Sequence, residues 1–324
     1  MTTAFGETST ADEVLEGIDL SGKHVVITGV SAGLGVETAR ALMARGAHVV
    51  GAARDLAKAS KAIEPAIADA RKGGSIELVQ LDLASIASVR ACTDAFVATG
   101  QRFDVVINNA GVASTPFNRT VDGFELQFAT NHLGHFEFAS RVAELIVPGG
   151  RLVVLGSAAH RFSDIDLDDL NWQRTPYDAD MAYGRSKTAT LLFAVEFDRR
   201  HRDRGVRAVS VHPGVIKTEL ARHLDLAALN TMLDELNERK AAAGERLFAW
   251  KSIPQGAATT VWAGFVAAAD AVGGRYCENC HIAQIIDEGQ SDPTMEGLYA
   301  YAVNPERALA LWRESERLLQ SLES

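Results

Sequence analysis

The chain has 324 residues, 47% of them hydrophobic and 23% charged, with a net charge of −10. That length and balance suit one large or two small globular domains with a substantial core, and the negative charge excludes a nucleic-acid surface and any pull toward anionic membranes. No apolar run reaches the ~18 residues of a spanning helix, three cysteines are too few for a disulfide framework, and the first basic residue, Lys23, comes too late for a secretory signal, so a cytoplasmic setting is expected.

Residues 1–20 read as a short arm, in which Thr10 and Glu13 have the spacing of a capping box and Gly17 would stop the helix they start. Lys23-His24-Val25-Val26-Ile27-Thr28 is a β-branched run, followed at once by a turn carrying Gly29, Ser31, Gly33, Leu34 and Gly35. Val36, Ala39, Leu42 and Met43 then recur at helical spacing. A strand, a glycine turn and a helix in that order make a pyrophosphate site, where free backbone N–H groups and the helix dipole favour negative charge. A simple strand–helix turn needs one glycine, and this one has three.

The second strand, residues 48–53, ends in Ala52-Ala53 and then Arg54. An acid at this place binds a free ribose 2′-hydroxyl, whereas arginine suits a 2′-phosphate. NADP is therefore expected over NAD, although Asp55 follows directly and Arg54 also fits a solvated helix start. Residues 75–80 form a third strand, with Asp82 and Leu83 after its carboxyl end, where ligands bind in such sheets; a helix-entry aspartate is the competing reading. Residues 103–107 form a fourth strand ending in Asn108-Asn109-Ala110-Gly111, where the amides can brace neighbouring backbone and the small pair lets a ligand ring approach.

A long helix is expected over residues 120–145, interrupted near Asn131 and Gly134, two residues unfavourable in a helix interior. His132, His135 and His160 lack the partner set of a metal site, and no metal is expected. Residues 151–155 form the fifth strand, with Ser157 beyond its end, either a hydroxyl for a substrate oxygen or a plain turn serine. Tyr183 and Lys187, four apart on the next helix, point into the same space. A phenol with an ordinary pKa of about 10 would be lowered by a nearby ammonium and made usable for proton transfer.

Residues 207–211 form the sixth strand, followed by Pro213, Gly214 and Thr218. Strand–helix alternation predicts an α/β fold: a single-domain, doubly wound parallel sheet of about seven strands with helices on both faces. A leucine-bearing helical insertion over 219–251 reads as a lid, or else a partner surface. Residues 257–272 read as one buried helix, and 304–322 as a closing amphipathic helix started by Asn304-Pro305. Cys277-Glu278-Asn279-Cys280-His281 matches a haem-attachment pattern, but its flanks look like a turn and a short strand at 282–285, which favours structural thiols.

Taken together in order, Thr28-Gly29-x-x-x-Gly33-x-Gly35, Asn108-Asn109-Ala110-Gly111, Ser157, Tyr183-x-x-x-Lys187 and Pro213-Gly214 make the chain resemble the short-chain dehydrogenase/reductase family over about residues 20–290. Residues 17–23, Asn131-His132-Leu133-Gly134-His135-Phe136 and 275–280 make it similar to the retinol dehydrogenase and WW-domain oxidoreductase-like branch. The resemblance implies a Rossmann fold and a catalytic set of Asn131, Ser157, Tyr183 and Lys187. It implies cofactor contacts from Gly29, Ser31, Gly33, Leu34, Gly35, Arg54, Asp82 near the adenine, Leu83, Asn109, Ala110, Gly111, Tyr183, Lys187, Pro213 and Gly214, with Thr218 on the carboxamide. Ala32 stands where many NADP enzymes of the family carry a basic residue, so the NADP reading rests on Arg54. The expected activity is NADP(H)-dependent interconversion of a hydrophobic alcohol and its aldehyde or ketone, with no nucleic-acid or membrane partner and with a homo-oligomer, dimer or tetramer, compatible with the family. The alternatives are a nucleotide-sensing binding protein, disfavoured by the intact proton-transfer set, and an NAD-dependent dehydrogenase or epimerase.

Overall fold

The computed structural model describes residues 5–217, 226–245, 247–289 and 296–323. In chain order these form α1 (Ala11–Val14), β1 (His24–Thr28), α2 (Gly33–Met43), β2 (His48–Ala53), α3 (Leu56–Ile67), β3 (Ser75–Gln80), α4 (Ile86–Thr99), β4 (Phe103–Asn108), α5 (Leu126–Phe128) and α6 (Gly134–Val142). There follow β5 (Ile146–Leu155), α7 (Ala179–His201), β6 (Arg207–His212), α8 (Leu226–Ala242), α9 (Ile253–Val261), α10 (Ala269–Val272), β7 (Tyr276–Glu278), β8 (His281–Ile282) and α11 (Pro305–Gln320).

Among the described residues the strands make one eight-stranded sheet in the order β3-β2-β1-β4-β5-β6-β7-β8, parallel except for β8. The interior strands are near-continuous apolar runs because both faces are covered. Alternate residues face opposite cores: Val26, Val106 and Leu152 pack with α4, α6, α7 and α11, and Ile27, Ile107 and Val153 pack with α1, α2, α3 and α9. The chain leaves β1 toward β2 and β3, then returns past β1 to β4, so the order reverses between β1 and β4. A crevice opens outside the carboxyl ends at such a reversal.

The chain's two ends are built into this frame. Thr10 and Glu13 cap α1 reciprocally, Thr10 N–H donating to the Glu13 carboxylate over 2.7 Å, and Ala11, Val14 and Leu15 are buried in the core beside α9. Asn304 caps α11 through the N–H groups of Glu306 and Arg307, and Trp312 of α11 packs on Phe136, Phe193 and Phe197.

Several expectations from sequence are revised. The helix expected over 120–145 starts only at Leu126, while the interruption expected near Asn131 and Gly134 is there as a π-helical turn, Ala129–Leu133. Residues 257–272 also break, into α9, a π turn at Trp262–Val266 and α10. The short strand expected at 282–285 is instead a hairpin of β7 and β8, and the sheet gains an eighth strand, because Asn279 and Cys280 both take positive φ, 47° and 58°, and this two-residue turn folds β8 back on β7. Cys277 in β7 and Cys280 in the turn are both buried, and loss of solvent pushes their thiols up to about 12 and about 11. Of the insertion expected over 219–251, residues 219–225 and 246 lie outside the described residues, and Leu233 and Leu236 of α8 are buried. No helix among the described residues is long and apolar enough to cross a membrane.

Candidate active site

The crevice is a cleft of about 370 Å³ at the carboxyl ends of the central strands. Its walls bring together Gly29, Ser31, Gly33, Leu34, Gly35, Arg54, Asp82, Leu83, Asn109, Ala110, Gly111, Ser157, Tyr183, Lys187, Pro213 and Gly214. Asn131 stands one layer behind the wall, and Thr218 lies outside the described residues.

At one end the backbone makes a cradle. Gly29 has φ +80°, and a Cβ there would come within 2.8 Å of Ala110 Cα; at Gly35 it would overlap the Gly29 carbonyl. Among the described residues no side chain caps the N-terminus of α2, which leaves its first N–H groups open at the cleft, the arrangement that receives a phosphate. Asn109 ties this cradle together, its amide donating to the carbonyls of Thr28 (2.8 Å) and Gly29 (3.2 Å). The cradle fits a dinucleotide pyrophosphate and would be filled by any larger residue at position 29 or 35.

Arg54 is exposed at the end of β2. The neighbouring Asp55 carboxylate is the N-cap of α3 and accepts from Lys58 N–H at 2.9 Å. The helix at Ile86–Thr99 is capped by Ser85, and Asp82 instead accepts from Ala84 N–H at 2.9 Å while lining the cleft.

At the other end Ser157 follows β5 and accepts from Ala159 N–H at 3.1 Å. Lys187 donates to the Leu155 carbonyl at 2.8 Å, and its Nζ lies 5.7 Å from the centre of the Tyr183 ring. The expected lowering of the phenol pKa is not what this geometry produces. Tyr183 lines the cleft, and loss of solvent pushes it up to about 12, partly offset by a hydrogen bond with Ser157. The same burial pushes the Lys187 ammonium down to about 8. Desolvation of two charged forms outweighs an ammonium held several ångströms away by a carbonyl. The Asn131 side chain is fully engaged: Oδ1 accepts from Val112 N–H (2.8 Å), and Nδ2 donates to the Val112 carbonyl (2.9 Å) and the Ser186 hydroxyl (2.8 Å).

Sequence reasoning missed several residues here. Lys58 and His212 also line the cleft; a basic residue one turn into α3 and a histidine ending a parallel strand were the available signals. Lys251 lays its stem against Gly214 and donates to Asn279 Oδ1 at 2.5 Å, a long-range contact with no local signal. His160 donates from Nδ1 to the Ser157 carbonyl at 2.7 Å and accepts Tyr299 N–H at 3.3 Å.

Comparison with known proteins follows the same lines. The family model for short chain dehydrogenase matches residues 23–228. An oxidoreductase of Penicillium decumbens, calI, is 37% identical over 320 residues, 94% of this chain and 91% of its own. The human WW domain-containing oxidoreductase is 35% identical over 326 residues, 98% of this chain and 72% of its own. A chloroplastic short-chain dehydrogenase of Brassica napus, TIC 32 B, is 35% identical over 331 residues, 98% and 95% of the two chains. Among solved structures, an uncharacterized Mycobacterium paratuberculosis protein superposes with a TM-score of 0.71 at 32% identity, covering 97% of this chain and 98% of that one.

Proposed function

Because the chain belongs to the short-chain dehydrogenase/reductase family and is an NAD(P)-dependent oxidoreductase, we propose that it interconverts a hydrophobic alcohol and its aldehyde or ketone, with NADP(H) preferred. One observation carries this reading: Ser157, Tyr183 and Lys187 share a cleft with an uncapped glycine-rich helix start. The nicotinamide, when bound, supplies or accepts the hydride. Gly29, Ser31, Gly33, Leu34 and Gly35 would hold the pyrophosphate, and Arg54 with Lys58 the 2′-phosphate. Asp82 and Leu83 would hold the adenine, and Asn109, Ala110 and Gly111 the neighbouring ribose. Pro213, Gly214 and Thr218 would hold the nicotinamide half, and Lys187 its ribose.

Tyr183, a neutral phenol at pH 7 with a pKa of about 12, donates its proton to the carbonyl oxygen in reduction and recovers it in oxidation. Ser157 holds the same oxygen. Asn131 belongs to the relay that returns a proton past Lys187 to solvent; with its side chain committed, its main-chain carbonyl is the atom available for that work. Phe162 and Met181, 56% and 41% exposed, lie on the segments that carry Ser157 and Tyr183, and such exposed apolar side chains support an apolar substrate. The helical insertion around α8 follows a strand's carboxyl end and would cover it. A homo-oligomer would assemble elsewhere than on the α11 side of α7, which the chain's own aromatic cluster occupies.

Assaying a panel of hydrophobic alcohols and ketones with both cofactors tests the reading; no turnover with any of them overturns it. Arg54→Ala should weaken NADPH binding about 10–150-fold, the worth of a charge-assisted hydrogen bond of about 1.5–3 kcal/mol. NADH binding should hardly change, and Ala53→Asp should reverse the preference. With Asp55 turned to its own helix, its carboxylate does not cancel Arg54. Equal wild-type affinity for NADH and NADPH, titrated at fixed ionic strength, sinks the preference. Shortening residues 223–248 should raise KM for bulky substrates far more than Kd for cofactor; an equal rise in both points to a structural segment instead.

A further inference from the structure

The buried imidazole of His135 has no part in the chemistry above, yet it touches two of its components. Its Nε2 lies 2.8 Å from the Thr28 hydroxyl and its Nδ1 3.1 Å from the Asn131 carbonyl oxygen. The tautomer follows from counting protons. Thr28 Oγ1 accepts the N–H groups of Asn109 (2.9 Å) and Ala110 (3.0 Å), which occupies both lone pairs and sends its one proton to His135 Nε2. Nδ1 therefore carries the ring's hydrogen and donates to Asn131. The second contact demands the same tautomer, since a carbonyl can only accept. A protonated ring would aim an Nε2–H at an oxygen with no lone pair left, and burial pushes the His135 pKa down to about 4.

The carbonyl in question is unusual in its position. Asn131 sits in the π turn Ala129–Leu133, where the backbone departs from the regular i→i−4 ladder. Gly134, directly after it, brings α6 so close to the Leu83 carbonyl that any Cβ would overlap it. The turn is thus wedged between the adenine side of the cleft and the Lys187 side.

We propose that His135 is a positioning residue: it fixes the Asn131 carbonyl to the strand end that seats the cofactor, so that proton relay and cofactor seat keep one register. The proposal rests on the reading of Asn131 as a relay residue. The Thr28 hydroxyl orders Asn109 and Ala110, His135 reads the position of that hydroxyl, and Asn131 is placed by His135. A displacement at either end reaches the other through one ring.

Two substitutions separate the contacts. His135→Asn leaves an amide near the place of Nδ1 and loses the reach to Thr28; His135→Gln reaches toward Thr28 and loses the donor to Asn131. The expected pattern is crossed. His135→Gln lowers kcat about 10–100-fold, the scale of an ångström-level misplacement, with NADPH Kd unchanged. His135→Asn, which keeps the donor to Asn131 but frees it from the strand end, lowers kcat less than His135→Gln and raises Kd. Losses that run in parallel in both variants and track Tm assign His135 to packing alone and overturn the proposal. If neither variant folds, the long-range ¹H–¹⁵N spectrum of the wild-type protein decides. A neutral Nδ1–H ring at pH 7 is required, and an Nε2–H ring or an imidazolium overturns it. Absence of turnover in wild type on every substrate would refute the proposed activity and leave the tautomer result readable by itself.

Discussion

Tyr183→Phe is expected to lower turnover by about 10²–10⁴-fold, the usual contribution of general acid–base catalysis, with NADPH affinity nearly unchanged. The substitution removes one hydroxyl and keeps the ring, so the walls of the cleft remain. In the protein that hydroxyl is a loaded acid: burial holds it up to about 12, and Ser157 shares a hydrogen bond with it. Lys187→Ala should harm both turnover and cofactor binding, because its buried ammonium lies between the Leu155 carbonyl and the phenol ring. Lys187 is pushed down to about 8, so it is charged below that pH and neutral above it. The reduction rate should accordingly change on raising the pH through 8, and the change should vanish in Lys187→Ala. Single-turnover rates and cofactor titrations on the same samples measure both. A Tyr183→Phe enzyme within about tenfold of wild type, below that range, would remove Tyr183 from the mechanism.

Acid should destabilise the fold well before its carboxylates are exhausted. His132, His135 and His160 are buried to 1%, 2% and 0% exposure, and burial pushes their pKa values down to about 3, 4 and 4. Unfolded, each histidine takes a proton near 6.5. Between about pH 6.5 and 4 the unfolded chain therefore binds more protons than the folded one, and stability falls as pH falls. Each histidine contributes up to about 1.4 kcal/mol per pH unit in that window. Glu278 works the other way: burial raises it to about 7, so its contribution is present at low pH and lost as pH rises through 7. With His212, which burial pushes down to about 3, counted beside these three histidines and Glu278 against them, the net slope is roughly 3–4 kcal/mol per pH unit, large against the 5–15 kcal/mol of a typical domain. Guanidinium melts at pH 7.5, 6.0 and 5.0 should show the midpoint falling steeply. His132→Phe, which places an apolar ring among Phe128, Phe136 and Phe193, should flatten the slope by about one histidine's share. A midpoint that does not move between pH 7.5 and 5.0 rules this out.

The parts of the fold that were legible in the sequence are those whose signal is local. Parallel strands buried on both faces are β-branched runs with their turn residues attached, so β1 to β6 and the glycine turn at 29–35 could be located, although β5 begins at Ile146 and not at the expected residue 151. The π turn at Ala129–Leu133 left only a weak trace, an asparagine and a glycine in a helix interior. Its purpose was invisible because the partners of Asn131, Val112 and Ser186, are 19 and 55 residues away. The sign of the Tyr183 shift failed for a related reason. The spacing of Tyr183 and Lys187 reports that they share a helix face, but not how much solvent each has lost, and burial decided the direction. His135 and His160 looked like spare ligands in the sequence, and only the folded chain shows each imidazole donating to the carbonyl of a proposed catalytic residue.

The docking of α1 against α9 has a consequence for how the protein is made. Ala11, Val14 and Leu15 share a core with Ala257, Ala258 and Val261, and Gln255 donates to the Thr8 carbonyl at 3.1 Å. α1 thus finds its partner far along the chain, Thr8 and Gln255 being 247 residues apart. At about 5–20 residues per second, the apolar side of α1 waits many seconds in the open, and the sheet's central strands wait with it for the layer that α9 supplies. This layer cannot close until Val261 has been made, so a nascent form stalled before residue 253 leaves the apolar side of α1 uncovered.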